Sequence, residues 1–348
     1  MRIKILLITI LIIFLVMPCL CQRDTKSTSA TKEDNGNSET LIYSEPEVVS
    51  KEANPILKPE GTGFESKAVY NPTVIIDDST IKMIYRAEGN ETGTGVLALA
   101  FSKDGKRFER YERNPVIRPE FDFEAFGCED PRVVRINNIF YLTYVGNDHG
   151  KTPGDICLAS SEDFIKWEKH GEIIQPSHNW NSGKIKAGVI VPEKINGKYV
   201  MYYLGEKKAW ETSIGIAFSD DLIRWEELVD KPVIVPRKEN FDSQGIEPGA
   251  TPIILESGIL LIYNGWDEKH VHKTGWVLFS KDDPTKVIER CKKSIIEPEL
   301  DFERNGFAKN VTFAEGISFF KGLWYLYYGA ADKYIGVVTI KDFEKLSQ

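Results

Sequence analysis

The segments MIYRAEG (residues 83–89), LTYVGND (142–148), MYYLGEK (201–207), LIYNGWD (261–267) and LYYGAAD (326–332) resemble one another, each running from an apolar start into a tyrosine and then a small or charged break. They place Tyr85, Tyr144, Tyr203, Tyr263 and Tyr327 at spacings of 59, 59, 60 and 64 residues. Self-similarity at a near-constant period is the signature of a repeat architecture.

Each tyrosine segment continues into a run of small residues and a polar corner. ALAFSKDGKRFER, CLASSEDFIKWEK, GIAFSDDLIRWEE and WVLFSKDDPTKVIER bring Ser102, Ser161, Ser219 and Ser280 into register, and the fifth repeat ends in IGVVTIKDFEKL. Each tyrosine segment is also preceded by an apolar opening: NPTVIID, DPRVVRI, AGVIVPEKI, GATPIIL and VTFAEGISFF. Short, alternating, β-branched runs broken by turn chemistry such as KDG and ING read as strands, and no long helical period interrupts them. Five units of about 60 residues, each with three or four strands, predict an all-β fold, a five-bladed β-propeller, whose radial closure protects its sheet edges. A β-sandwich is the alternative.

The propeller is expected over residues 41–348. Residues 1–21 carry Arg2 and Lys4, an apolar run from Ile5 to about Met17, and then Pro18, Cys19, Leu20 and Cys21. This is the pattern of an export signal, and the run is short for a membrane span. Cys19 and Cys21 are candidate lipid-attachment residues, although neither follows the small residue usual for a lipoprotein. The expected location is periplasmic or at the cell surface, with any membrane attachment made through an N-terminal lipid. Residues 22–40 are almost wholly polar and read as a flexible linker. Within the propeller, Cys128, Cys157 and Cys291 are widely spaced, show no metal-binding pattern, and read as buried small hydrophobes. With a net charge of −8 and scattered Lys and Arg, the chain lacks the footprint of a nucleic-acid binder.

The repeat gives meaning to FGCEDPRVVRI (126–136). Asp130 stands at the start of its unit's first strand, the place taken by Asn71 one unit earlier, and the starts of innermost strands line a propeller's central channel. Glu206 follows YYLG, and Glu247 lies in QGIEPGATP, at comparable positions. One acid at a loop end is usually a solvated charge; three directed to one channel suggest chemistry. Paired carboxylates suit acetal hydrolysis, one donating a proton to the leaving oxygen and the other activating water. No metal and no cofactor is expected.

YNPTVI, YRAEG, EDPRV, GKYVMYY, GATPII and YYGAADKYIGVV occur in an order and spacing that resembles glycoside hydrolase family 130, the mannoside phosphorylases and β-mannosidases, over roughly residues 55–345. The resemblance implies that Asp130 is the catalytic acid, acting through a substrate hydroxyl. It implies pocket roles for Asn71, Arg86 and Arg132. Phosphorylases of the family carry His-Arg after the GKY turn and a Lys at the start of the glycine-rich segment. Here those places are Tyr203-Leu204 and Gly245, while Glu206 and Glu247 stand nearby as candidate bases. A phosphate dianion needs charge-assisted donors, which these acids would oppose. The expected activity is therefore inverting hydrolysis of β-mannosides, β-1,2-linked manno-oligosaccharides in particular. The alternatives are a phosphorylase releasing mannose 1-phosphate and a non-catalytic carbohydrate-binding propeller. Tyr203, Trp266 and Asp332 complete the expected sugar contacts; Tyr85, Trp210 and His270 or His272 are further candidates at the mouth.

Overall fold

The computed structural model describes residues 46–151, 154–341 and 343. The export-signal and linker readings lie outside the described residues. The remainder is five antiparallel sheets, the five blades anticipated from the repeat. The first blade runs Ala68–Asp77, Thr80–Glu88, Val96–Ser102 and Glu109–Arg110; the second runs Gly127–Ile136, Ile139–Asn147, Ile156–Ser161 and Glu168–Glu172. The third has Lys184–Ile190, Tyr199–Glu206 and Thr212–Ser219. In the fourth, Gly245–Pro248 and Ile253–Leu255 both pair with Gly258–Trp266, followed by His272–Phe279 and Val287–Arg290. The fifth runs Thr312–Phe320, Leu323–Ala330 and Tyr334–Lys341, and its outer edge is taken by Glu47–Ser50 from the start of the domain. This last pairing closes the ring between two ends of the chain.

Strand alternation sends successive side chains to the two neighbouring blades, so both faces of each sheet are buried. Ile84 packs with Leu142 of the second blade, while Tyr85 beside it packs with Tyr327 and Val337 of the fifth. The tyrosines that face the preceding blade each donate their hydroxyl to a buried acid: Tyr85 to Glu65 at 2.9 Å, Tyr144 to Glu124 at 2.6 Å, Tyr203 to Glu227, and Tyr263 to Asp242 at 2.7 Å. In the fifth blade this role belongs to Tyr328, which reaches Glu303 at 2.6 Å. Tyr327 points to the opposite face, where its hydroxyl donates to the Gly105 carbonyl. The fifth repeat is therefore in register one residue later than Tyr327 implies. The facing strand shows why: the residues opposite the five tyrosines are Ala98, Cys157, Gly215, Gly275 and, across from Tyr328, Gly336. A Cβ at Gly336 would lie 2.6 Å from the Tyr328 hydroxyl oxygen, so the ring occupies space that only a glycine leaves open. The three cysteines are buried as expected, Cys157 filling this small-residue position in the second blade.

Tyr85, read as a mouth residue, and Tyr203, read as a sugar contact, are instead fully buried core residues. Alternation along their strands directs them between blades rather than into the channel.

Candidate active site

One cavity of about 540 Å³ gathers residues from all five blades, among them Asn71, Arg86, Asp130, Lys186, Glu206, Glu247, Trp266 and Asp332. A second cleft, of about 480 Å³, is lined by Lys51, Lys273, Glu297 and neighbours of the fourth and fifth blades and lacks this convergence.

The backbone explains why these side chains meet. The innermost strand bulges at a comparable point in the first, second, third and fifth blades, with register shifts at Tyr70/Thr73, Glu129/Arg132, Lys186/Val189 and Ala314/Gly316. A bulge re-aims a side chain and commonly sits beside an active site. Asn71, Asp130 and Ala187 occupy the first three bulges with φ of 48°, 48° and 54°. Asn and Asp tolerate this left-handed region better than most residues. The NP and DP pairs seen in the sequence are thus the chemistry of a kinked strand as well as of a site.

Asp130 lies between two cations. Arg86 Nη1 is 3.3 Å from Oδ1 and Lys186 Nζ is 3.8 Å from Oδ2. The same ammonium lies 2.9 Å from Glu247 Oε2, so the two carboxylate oxygens that flank it are no more than about 7 Å apart. Glu247 is buried, and its other oxygen, Oε1, makes no hydrogen bond to the described residues and lies 3.8 Å from Arg132 Nη2. Glu206 is half-buried and accepts the Trp210 amide at 2.8 Å.

Burial pushes the Asp130 carboxyl up, but Lys186, Arg86 and Arg132 outweigh it and hold the group below the usual aspartate range. In the substrate-free site Asp130 is thus an ionised carboxylate at neutral pH. A proton-donor role requires a substrate that weakens the Lys186 contact, or acidic solution. The raised acids are its neighbours. Burial, with Asp130 and Glu247 adding to it against Arg132, pushes Glu315 up to about 8, and burial likewise raises Asp332. Burial lowers His272 to about 4, so this pocket histidine is neutral at pH 7.

Arg132 does not line the cavity. It is buried beneath it, donating Nε to the Gly249 carbonyl at 2.7 Å and pairing through Nη2 with Glu315 Oε1 at 2.6 Å. Asn71 Nδ2 donates to the same Glu315 oxygen at 2.9 Å. Arg132 is a positioning residue that ties three blades together under the carboxylates. Of the other predicted residues, Tyr85 and Tyr203 fall wholly outside the site; His272 lines the pocket, while His270 packs against Trp210.

Lys184, Lys186 and Glu315 were absent from the sequence-based set. Lys186 immediately precedes its bulge, as Glu129 precedes Asp130, and Glu315 lies within the bulge of the fifth blade, so aligning the repeats residue by residue would have exposed both.

Residues 42–346 match the family model of glycoside hydrolase family 130, described as beta-1,4-mannooligosaccharide phosphorylase. A 1,2-beta-oligomannan phosphorylase from Thermoanaerobacter sp. (strain X514) is 38% identical over 82% of this chain and 95% of its own length. A beta-1,2-mannobiose phosphorylase of the same strain is 36% identical with the same coverage. A solved structure reported as "The GH130 family of mannoside phosphorylases contains glycoside hydrolases that target beta-1,2 mannosidic linkages in Candida mannan" superposes with a TM-score of 0.75 at 31% identity, covering 86% of this chain and 94% of the other.

Proposed function

Because the chain belongs to glycoside hydrolase family 130, whose enzymes act on β-mannosides, we propose that it hydrolyses β-1,2-linked manno-oligosaccharides with inversion, water being the acceptor. The observation that carries this reading is the charge pattern around Lys186. Asp130 and Glu247 flank one ammonium, and each Lys and Arg among the described residues lining the pocket is already paired with a carboxylate. Lys184 is held by Asp155 at 2.6 Å, and Arg86 by Glu88 and Glu129 at 2.8 Å each. A phosphate dianion would have to strip a cation from these acids and sit beside Glu206 and Glu247. Water needs only an acceptor, which the Glu247 carboxylate, from a residue lining the cavity, supplies.

The surroundings of Gly245 support the same conclusion. A Cβ there would lie 2.0 Å from the Trp266 ring, so this pocket leaves no room at residue 245 for the phosphate-binding Lys expected of a phosphorylase. In the proposed reaction Glu247 or Glu206 takes a proton from water. Asp130 delivers one to the leaving oxygen by way of a sugar hydroxyl, the route implied by the family resemblance. We further propose that the protein is exported, on the strength of residues 1–21; outside the cytoplasm a sugar phosphate would bring the cell no benefit.

Phosphorolysis is the second reading, and the activities of the 38% and 36% identical relatives favour it. The two readings separate in one experiment: β-1,2-mannobiose incubated with and without inorganic phosphate, the products resolved by nuclear magnetic resonance. The hydrolase releases only mannose, at a rate indifferent to phosphate. Mannose 1-phosphate as the main product establishes the second reading.

A further inference from the structure

We propose that Glu315 serves as a neutral carboxylic acid that positions Asn71, the two side chains closing a doubly hydrogen-bonded acid–amide pair beneath the pocket; the consequence for cleavage rests on the β-mannoside reading above. Both residues belong to bulges of innermost strands, Asn71 in the first blade and Glu315 in the fifth, so closure of the ring sets one against the other. Glu315 is fully buried and Asn71 nearly so. Asn71 Nδ2 donates to Glu315 Oε1 at 2.9 Å, and Arg132 Nη2 lies 2.6 Å from the same oxygen. The remaining polar atom of each partner, Glu315 Oε2 and Asn71 Oδ1, is buried and makes no hydrogen bond to the described residues.

Two buried acceptors left unpaired would each carry the full cost of desolvation. One proton satisfies both. Oε1 already receives two N–H groups, so it is the carbonyl oxygen of the acid, and the hydroxyl is Oε2–H, which donates to Asn71 Oδ1. The charges around Glu315 agree with this. Arg132 favours the carboxylate, but burial opposes it, with Asp130 and Glu247 adding their repulsion, and the carboxyl is pushed up to about 8. Glu247 Oε1 also lacks a hydrogen bond, but it lies 3.8 Å from Arg132 and its companion oxygen has Lys186 at 2.9 Å, whereas Asn71 Oδ1 has no donor among the described residues. The pair fixes the Asn71 amide. With Oδ1 turned to the acid, the second Nδ2 hydrogen is the group that Asn71, a residue lining the cavity, has left for a substrate oxygen.

The test has two readouts. The infrared difference between the parent protein and Glu315→Gln at neutral pH shows the carbonyl band of one protonated carboxyl group and needs no substrate; absence of the band overturns the proposal. On β-1,2-mannobiose, kcat/KM of the parent falls more steeply as the pH rises through about 8, where the acid ionises and a carboxylate oxygen faces Asn71 Oδ1. Glu315→Gln keeps both hydrogen bonds as an amide pair, stays within about threefold of the parent at neutral pH and lacks that extra fall, whereas Glu315→Leu, which makes neither bond, loses about tenfold or more. An extra fall retained in Glu315→Gln, or a Leu variant as active as the Gln variant, overturns the positioning role. Failure of the β-mannoside reading looks different: the parent does not cleave mannobiose with or without phosphate, while the infrared band still upholds the acid–amide pair.

Discussion

Replacing Lys186 by Met removes the positive charge between Asp130 and Glu247 while keeping an unbranched chain of similar length. The ammonium lies 3.8 Å from Asp130 Oδ2. A pair of unit charges about 4 Å apart interacts by about 4 kcal/mol at an effective dielectric near 20. Were all of that expressed, it would move a carboxyl by roughly three pKa units. Lys186 keeps 26% of its side chain in solvent, so screening removes part of the effect, and Arg86 and Arg132 remain to favour the ionised form. The expected rise at Asp130 is therefore about 1–2 units. Its sign is upward, because a carboxylate that loses a neighbouring cation holds its proton to higher pH. Measured as kcat/KM against pH on β-1,2-mannobiose, the limb that reports Asp130 in the free enzyme shifts up by about that amount. Turnover also falls, because Glu247 loses its partner at 2.9 Å. A limb that stays in place or moves downward refutes the assignment of Lys186 as the group that sets the Asp130 proton.

Glu247→Gln and Glu206→Gln are each expected to lower turnover by about 10²-fold or more, the scale of general-base catalysis; full activity in both variants shows that neither is the base. Glu247, buried and 2.9 Å from the ammonium that also flanks Asp130, should show the larger loss. The first sugar released should be α-mannose, followed by nuclear magnetic resonance before mutarotation, and initial β-mannose excludes direct inversion. Tyr328→Phe should destabilise the protein by about 1–3 kcal/mol in denaturant unfolding, because the buried Glu303 loses a hydroxyl donor at 2.6 Å; no loss would mean that Lys51 and the backbone amides satisfy Glu303 alone. Glu315, raised by burial to about 8, retains in the folded state a proton that an unfolded glutamate loses near 4.3. Its stabilising contribution is thus fully present below the unfolded value and is lost as the pH rises through about 8. Glu315→Gln, neutral throughout, should flatten the decline of melting temperature between about pH 5 and 8, and an unchanged slope would show that Glu315 titrates elsewhere.

The sequence by itself determined the blade count, the strand positions and the carboxylates of the channel, because each is written locally. Alternation of period two, serine corners and the DP and NP kinks depend on residues within one repeat, and copies of the same local signal reinforce one another. Asn71, Arg86, Asp130, Glu206, Glu247, Trp266 and Asp332 all reach the cavity for that reason. Tyr327 and Tyr328 were not distinguishable in this way: both are aromatic, and only the partner across the blade interface, Glu303 for one and the Gly105 carbonyl for the other, tells the two faces apart. The same holds for Arg132, whose place in EDPR suggests a pocket role but whose guanidinium ends on Glu315, a residue of the fifth blade. Lys186 reads in sequence as one more lysine in a strand; ring closure sets it between acids of the second and fourth blades. Charge and protonation at this site were decided by tertiary structure because Coulomb energy depends on distance and solvent exposure. Both are fixed only when five blades, far apart in the chain, share one axis.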